Sequence, residues 1–174
     1  GETPSLRRCS VSLLPDPLHP AVVHFPIALT FAALLFEAAS RAPRWRTLAT
    51  ASLVLIVLAA TSAVAAVITG DVAHEEVVVP VAARALLEQH EELGELLAWG
   101  LGLLAVARVV LARFGRHDGP LGWLYLVLLG VLCGVVAYQG HLGGRLVYEH
   151  GVGTAPLLSA PLSGGTPLAV PPDQ

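Results

Sequence analysis

The side chains of this sequence best suited to chemistry are its seven histidines, six of which stand beside the ends of apolar runs. His19 and His24 occur together in LHPAVVHFPIAL, His90 lies in LEQHEELGELL, and His141 and His150 bracket GHLGGRLVYEHG. Neutral imidazole is a common ligand of transition metals and of haem iron, and the facing helices of a bundle are a usual place to hold it. His24 falls about one turn inside the first apolar run, where a polar side chain is costly and turns to the bundle interior. Gly94 follows His90 by one turn, so it shares a helix face with the imidazole and leaves room for a flat group or a close helix. In the last run Gly130, Gly134 and His141 fall at about 0°, 40° and 20° around a helix and form one stripe. Small-residue packing accounts for the two glycines and leaves the histidine unexplained.

The expected ligand pair is therefore His24 and His90, for haem iron or another metal. His141, His150 and His19 are further cofactor candidates, and Gly94 and Gly134 provide the space beside them. His19, just before Pro20, reads first as a helix cap. His74, in DVAHEE, reads as a solvated loop residue. His117, in RFGRHD, stands apart from the other six. Acidic neighbours of His90 such as Glu88, Glu91 and Glu95 could set its tautomer.

Other chemistries have no motif to stand on. His90 is followed by EELG, so no HExxH pair forms, and GxSxG, the P-loop and the dinucleotide fingerprint are absent from the sequence. The two cysteines, Cys9 in a polar leader and Cys133 in an apolar run, fit neither a disulfide framework nor a CxxC site. Cys133 is expected to serve packing. All ten basic residues are arginines and the formal net charge is −3, so no basic stripe exists to follow a phosphate backbone, and nucleic acid is excluded as a partner.

What must position the histidines is a membrane bundle. Of 174 residues, 55% are hydrophobic and only 13% charged, against about 25% charged in an ordinary soluble domain. Mean hydropathy is +0.69. Four runs, Ala21 to Ala39, Leu48 to Ile68, Leu93 to Ala112 and Leu121 to Leu142, are each long enough to cross a hydrocarbon core of about 30 Å. The fold expected is all-α, an integral membrane four-helix bundle over residues 19–153, with an outer leader at 1–18 and a Pro/Gly-rich tail at 154–174. Arginines crowd the connections at 40–47 and 113–120, which the positive-inside rule places in the cytoplasm. Both termini and the 70–92 connection are then outside, in a bacterial inner membrane with N-out, C-out topology. Of the 13 acidic residues only Glu37 and Asp118 remain inside. Glu37 and Arg108, near inner helix ends, are expected to pair or to snorkel. The first twenty residues lack the apolar centre of a signal peptide, so the first span, or a piece no longer present, is expected to address the chain, and the absence of methionine makes Gly1 an expected processed or trimmed end.

Three segments, LHPAVVHFPIAL at 18–29, LEQHEELGELL at 87–97 and GHLGGRLVYEHGVG at 140–153, resemble a small four-helix bacterial membrane-protein family of unknown function. The resemblance implies four transmembrane helices and association with c-type cytochrome or Rieske domains. It maps the family histidines onto His19, His24, His90 and His150, its small turn onto Gly143 and Gly144, and its tyrosine onto Tyr148. His141 and His74 have no counterpart there.

The function expected from these features is that of a membrane subunit binding b-type haem near the periplasmic face and passing electrons, without turnover of its own. The alternatives are a cofactor-free structural subunit of a respiratory or photosynthetic complex, or a non-haem metal protein. The partners expected are the lipid bilayer and redox or respiratory/photosynthetic subunits. Tyr148 and His150 are expected to close a polar lid over the outer histidines, using Asp16 and Glu149. Replacing Gly144 by Leu should therefore do more damage than replacing Gly122.

Overall fold

The structure, a computed structural model, describes residues 18–77 and 79–153. The first span is two nearly continuous helices, α1 (His19–Val22) and α2 (His24–Ala39). They part at Val23 because Pro26 has no N–H to give the carbonyl of Val22, and the next bond, Ile27 N–H to the Val23 carbonyl, is stretched to 3.5 Å. Three longer helices follow: α3 (Leu48–Glu76), α4 (Arg84–Arg113) and α5 (Pro120–Tyr148). Single 3₁₀ turns at Pro43–Trp45 and Val81–Ala83 lead into α3 and α4, and Pro120 opens α5 at the position where a missing N–H costs little.

The expected connection at 70–92 is corrected. Helix α3 continues past Gly70 to Glu76 and α4 already begins at Arg84, so His74 and His90 are both helical. Alanine, leucine, glutamate and glutamine in these stretches favour helix. A helix of 29 residues, at 1.5 Å each, is also about 44 Å long and projects beyond a core of about 30 Å. The projecting turns are tied together where His74 Nδ1 meets Glu91 Oε1 at 2.5 Å, so His74 is not a free loop residue.

Four helices are long and apolar enough to cross a membrane, and among the described residues there is no strand. Each packs on its chain neighbour, and α5 closes back on α2. The core is narrow and built largely from alanine, with Ala33, Ala59, Ala60, Ala63 and Ala105 around Ile56, Leu101, Tyr125 and Leu129. Small residues let helix axes approach, which is how helices gain contact when the solvent is as apolar as their side chains. Ser52 reinforces one such approach, its hydroxyl donating to the Ala33 carbonyl at 3.0 Å. Large apolar side chains such as Phe25, Leu35, Trp99 and Leu103 face outward, as lipid contact requires. Cys133 is buried, consistent with packing.

This topology gathers two polar ends. His19, Gly70, His90 and Gly143 meet at one, and Glu37, Arg41, Arg108 and Gly122 at the other. The described chain begins and finishes at the histidine end. The expected leader and tail, apart from Leu18, lie outside the described residues.

Candidate functional site

At the histidine end the ring of His19 leaves α1 and reaches α3, where its Nδ1 lies 2.9 Å from the Ala66 carbonyl and 3.5 Å from the Thr69 hydroxyl. A carbonyl only accepts, so Nδ1 carries the proton and Nε2 keeps the lone pair of the neutral ring. His19 is thus no cap, and α1 has no side-chain cap at all. Gly70 makes the niche: a Cβ there would stand 3.2 Å from the imidazole.

His90, half-buried on α4, faces His19 edge-on, with ring centroids 6.4 Å apart and planes at 87°. Its backbone carbonyl accepts a 2.8 Å hydrogen bond from the side-chain amide of Gln139 on α5. The same amide nitrogen lies 3.4 Å from His90 Nε2. Because the carbonyl needs a donor, this contact fixes which way the carboxamide points. His90 Nδ1 and Gln139 Oε1 are then left buried with no hydrogen-bond partner. Gly143 makes room for the His90 ring, at 3.1 Å from a built Cβ, and Gly94 makes room for the Gln139 amide, at 3.2 Å. The space beside Gly94 is therefore taken by a side chain of this protein.

Other expected site residues stand elsewhere. His24 is exposed on the outer surface of α2, so the histidine that faces His90 is His19. The two lie five positions apart, about 140° around a helix, and both cannot face the same interior. The stripe on α5 also looks outward: Gly134 and His141 are exposed, and no neighbour lies within 4 Å of a Cβ built at Gly130 or Gly134. Its inward face is taken by Tyr125, Leu129, Cys133 and Val136. Among the described residues the ring contact of His141 is with Tyr138, centroids 6.5 Å apart. His150 is half-buried just past α5, but Tyr148 is 90% exposed and Glu149 pairs with Arg145, so among the described residues no lid closes over the pair. Asp16 lies outside the described residues. Gln139 was missed in the sequence, although a carboxamide inside the apolar run 121–142 is a signal that could have found it.

The donor count bears on what the pair could hold. Among the described residues no group of three or more His, Cys, Asp or Glu converges as a metal site. Zinc-type sites take three or four protein ligands, whereas haem iron uses at most two axial ones. Two imidazoles match the second requirement and not the first. His19 presents a tautomer-fixed Nε2, whereas the Gln139 amide faces His90 Nε2, so in the neutral His90 ring the unpartnered Nδ1 carries the proton and ligation through it requires the other tautomer. The backbone carbonyl on His19 Nδ1 is the usual outer support of a ligating imidazole.

The arginine end is built differently. Glu37 is 1% exposed and accepts from Arg41 Nη2 at 2.6 Å and from Arg108 Nε at 2.9 Å. Arg108 also donates to the Ala49 carbonyl at 2.8 Å, and Arg41 to the carbonyls of His117 at 2.5 Å and Gly122 at 3.0 Å. The expected Glu37 and Arg108 pair is present, and Arg41 joins it to tie the two arginine-rich connections together. The connection before α5 folds back on its first turn so closely that a Cβ at Gly122 would sit 1.7 Å from the His117 carbonyl oxygen. At Gly144 the nearest atom is 4.0 Å away. The expected ranking of these two glycines is thus reversed, because the tight backbone approach is at the arginine end.

Four apolar helices with polar side chains gathered at their two ends define an integral membrane protein of four-helix type. The chain belongs to the family described as Predicted membrane protein (DUF2231), whose model matches residues 15–156. No curated protein and no solved structure gives a significant match.

Proposed function

We propose that this chain is a bacterial inner-membrane subunit that binds b-type haem at its outer end, through His19 and His90, and takes part in electron transfer. The arginine-rich connections 40–47 and 113–120 support placing both termini on the periplasmic side. The observation that carries the reading is the facing of two imidazoles, 6.4 Å apart, one with its tautomer fixed and the other with a buried nitrogen unpartnered. The haem supplies one-electron exchange when bound. The chain's part is to present nitrogen donors: the Ala66 carbonyl keeps the proton on His19 Nδ1, and Gln139 holds the backbone of His90. Redox subunits of a respiratory or photosynthetic complex are the partners this role requires.

The competing reading is a cofactor-free structural subunit. Direct edge contact between the two rings favours it, because such a contact is itself a stable packing of aromatic side chains. The ultraviolet–visible spectrum of protein purified after haem-replete expression separates the two. A Soret band with reduced-minus-oxidised changes is expected for the haem subunit, and a featureless visible spectrum supports the structural one.

A further inference from the structure

Two guanidiniums share one carboxylate at the arginine end. Arg41 and Arg108 both bond Glu37, so this buried cluster carries one positive charge more than it balances. Arg108 is 2% exposed. An unbalanced charge in so dry a place is costly unless an anion answers it. Among the described residues the other acid at this end is Asp118, which is committed elsewhere, to Arg46 and to His117, each at 3.1 Å.

Arg108 forms part of the wall of a cavity of about 430 Å³ between the first turns of α3 and the last turns of α4. His117, Asp118 and Thr50 give the cavity its other polar lining, while Leu53 and Leu111 make an apolar side. His117 directs Nδ1 at the Asp118 carboxylate, 3.1 Å away, and its Nε2 is buried without a partner. A carboxylate accepts the Nδ1 proton, so in the neutral ring Nε2 is a lone pair waiting for a donor. The cavity thus asks for two things at once, a negative group for Arg108 and a hydroxyl-type donor for His117. Its place is the edge of the apolar spans, since α3 begins at Leu48 and α4 finishes at Arg113, and the exposed side chains of Arg46, Arg113 and Arg116 crowd the same end.

We propose that this cavity binds the headgroup of an anionic, hydroxyl-bearing phospholipid of the phosphatidylglycerol type. The phosphate balances the charge of Arg108, a headgroup hydroxyl donates to His117 Nε2, and the acyl chains leave along Leu53 and Leu111. Arginine is suited to phosphate, and basic pockets between membrane helices commonly hold such headgroups. Inorganic phosphate shares the anionic chemistry but lacks both the hydroxyl-bearing glycerol and the chains.

Native mass spectrometry of delipidated full-length protein tests this with three probes: phosphatidylglycerol, phosphatidylethanolamine and inorganic phosphate. Phosphatidylglycerol should bind at one copy per chain, about tenfold more tightly than phosphatidylethanolamine, a ratio typical of one charge-assisted contact. His117→Phe, which keeps a ring and removes the nitrogens, should weaken it about tenfold. Ala112→Trp, placed to fill the cavity from the side of α4, should abolish it while leaving helical circular dichroism and thermal unfolding unchanged. Equal binding of the two lipids, or undiminished phosphatidylglycerol binding by either folded variant, would overturn the proposal. Inorganic phosphate binding as tightly as the lipid would assign the cavity to a soluble anion and overturn the lipid assignment.

Discussion

The two polar ends of this bundle are held by opposite means. At the arginine end charge is buried and tied to backbone: Glu37, Arg41 and Arg108 are bonded to one another and to the carbonyls of Ala49, His117 and Gly122. At the histidine end there is no buried ion pair among the described residues: the imidazoles of His19 and His90 sit in niches made by Gly70 and Gly143, with His19 hydrogen-bonded to the Ala66 carbonyl and the His90 backbone to Gln139. The arginine end also leaves buried atoms unpartnered, Arg41 Nε, His117 Nε2 and the Tyr125 hydroxyl, but its ion pairs and their bonds to backbone tie α2, α3, α4 and the start of α5 together and so serve as an anchor. What sets the histidine end apart is two imidazoles facing each other, 6.4 Å between centroids, and this difference makes it the candidate site for a histidine-held cofactor.

The contrast predicts a graded set of effects. The largest is expected at Gly122, where even alanine would put a Cβ 1.7 Å from the His117 carbonyl oxygen. Gly122→Leu should abolish folded protein, seen as loss of the monodisperse peak on size-exclusion chromatography, whereas Gly144→Leu should be recovered in near wild-type yield. Recovery of both at equal yield would mean that the close fold-back of the 113–120 connection onto α5 is dispensable.

Next in size is Glu37→Ala, which leaves two buried guanidiniums facing each other without their carboxylate. Removing one partner of a buried ion pair costs about 3–5 kcal/mol. Chemical denaturation in detergent should show a loss of this order, and a loss under about 1 kcal/mol, the range of an exposed pair, would show that water reaches the cluster.

Smaller effects separate the glycines of the histidine end. Gly143→Ala presses a methyl to 3.1 Å from the His90 ring and should cost about 1–3 kcal/mol, the usual range for overpacking. Gly134→Ala meets nothing within 4 Å and should raise stability by up to about 1 kcal/mol through helix propensity alone. If Gly134→Ala destabilises as much as Gly143→Ala, the outward stripe on α5 is packed against something other than lipid.

Much of the bundle was legible in the sequence because its signals are long and additive. Four long, mainly apolar runs and the arginine-rich connections each specify an element without reference to partners. Helix ends were less legible: α3 overruns Gly70 because Ala73, Glu75 and Glu76 favour helix and no proline follows to stop it before Pro80. The pairing of histidines was the least legible part. His24 looked more interior than His19 by its place in the run, yet rotation about the helix axis, which residue type does not report, turns His19 to α3 and α4 and His24 outward. Gln139 illustrates the same limit, since its role depends on Gly94 and His90 of a neighbouring helix.

The most direct measurement is the reduced-minus-oxidised absorption spectrum of the purified, haem-replete protein compared with three single variants. The account predicts a Soret and α-band pattern in the wild type, its retention in His24→Ala, and its loss or conversion to a five-coordinate spectrum in His19→Ala and His90→Ala. Absence of the bands in the wild type, or their loss in His24→Ala with retention in His19→Ala, would contradict it.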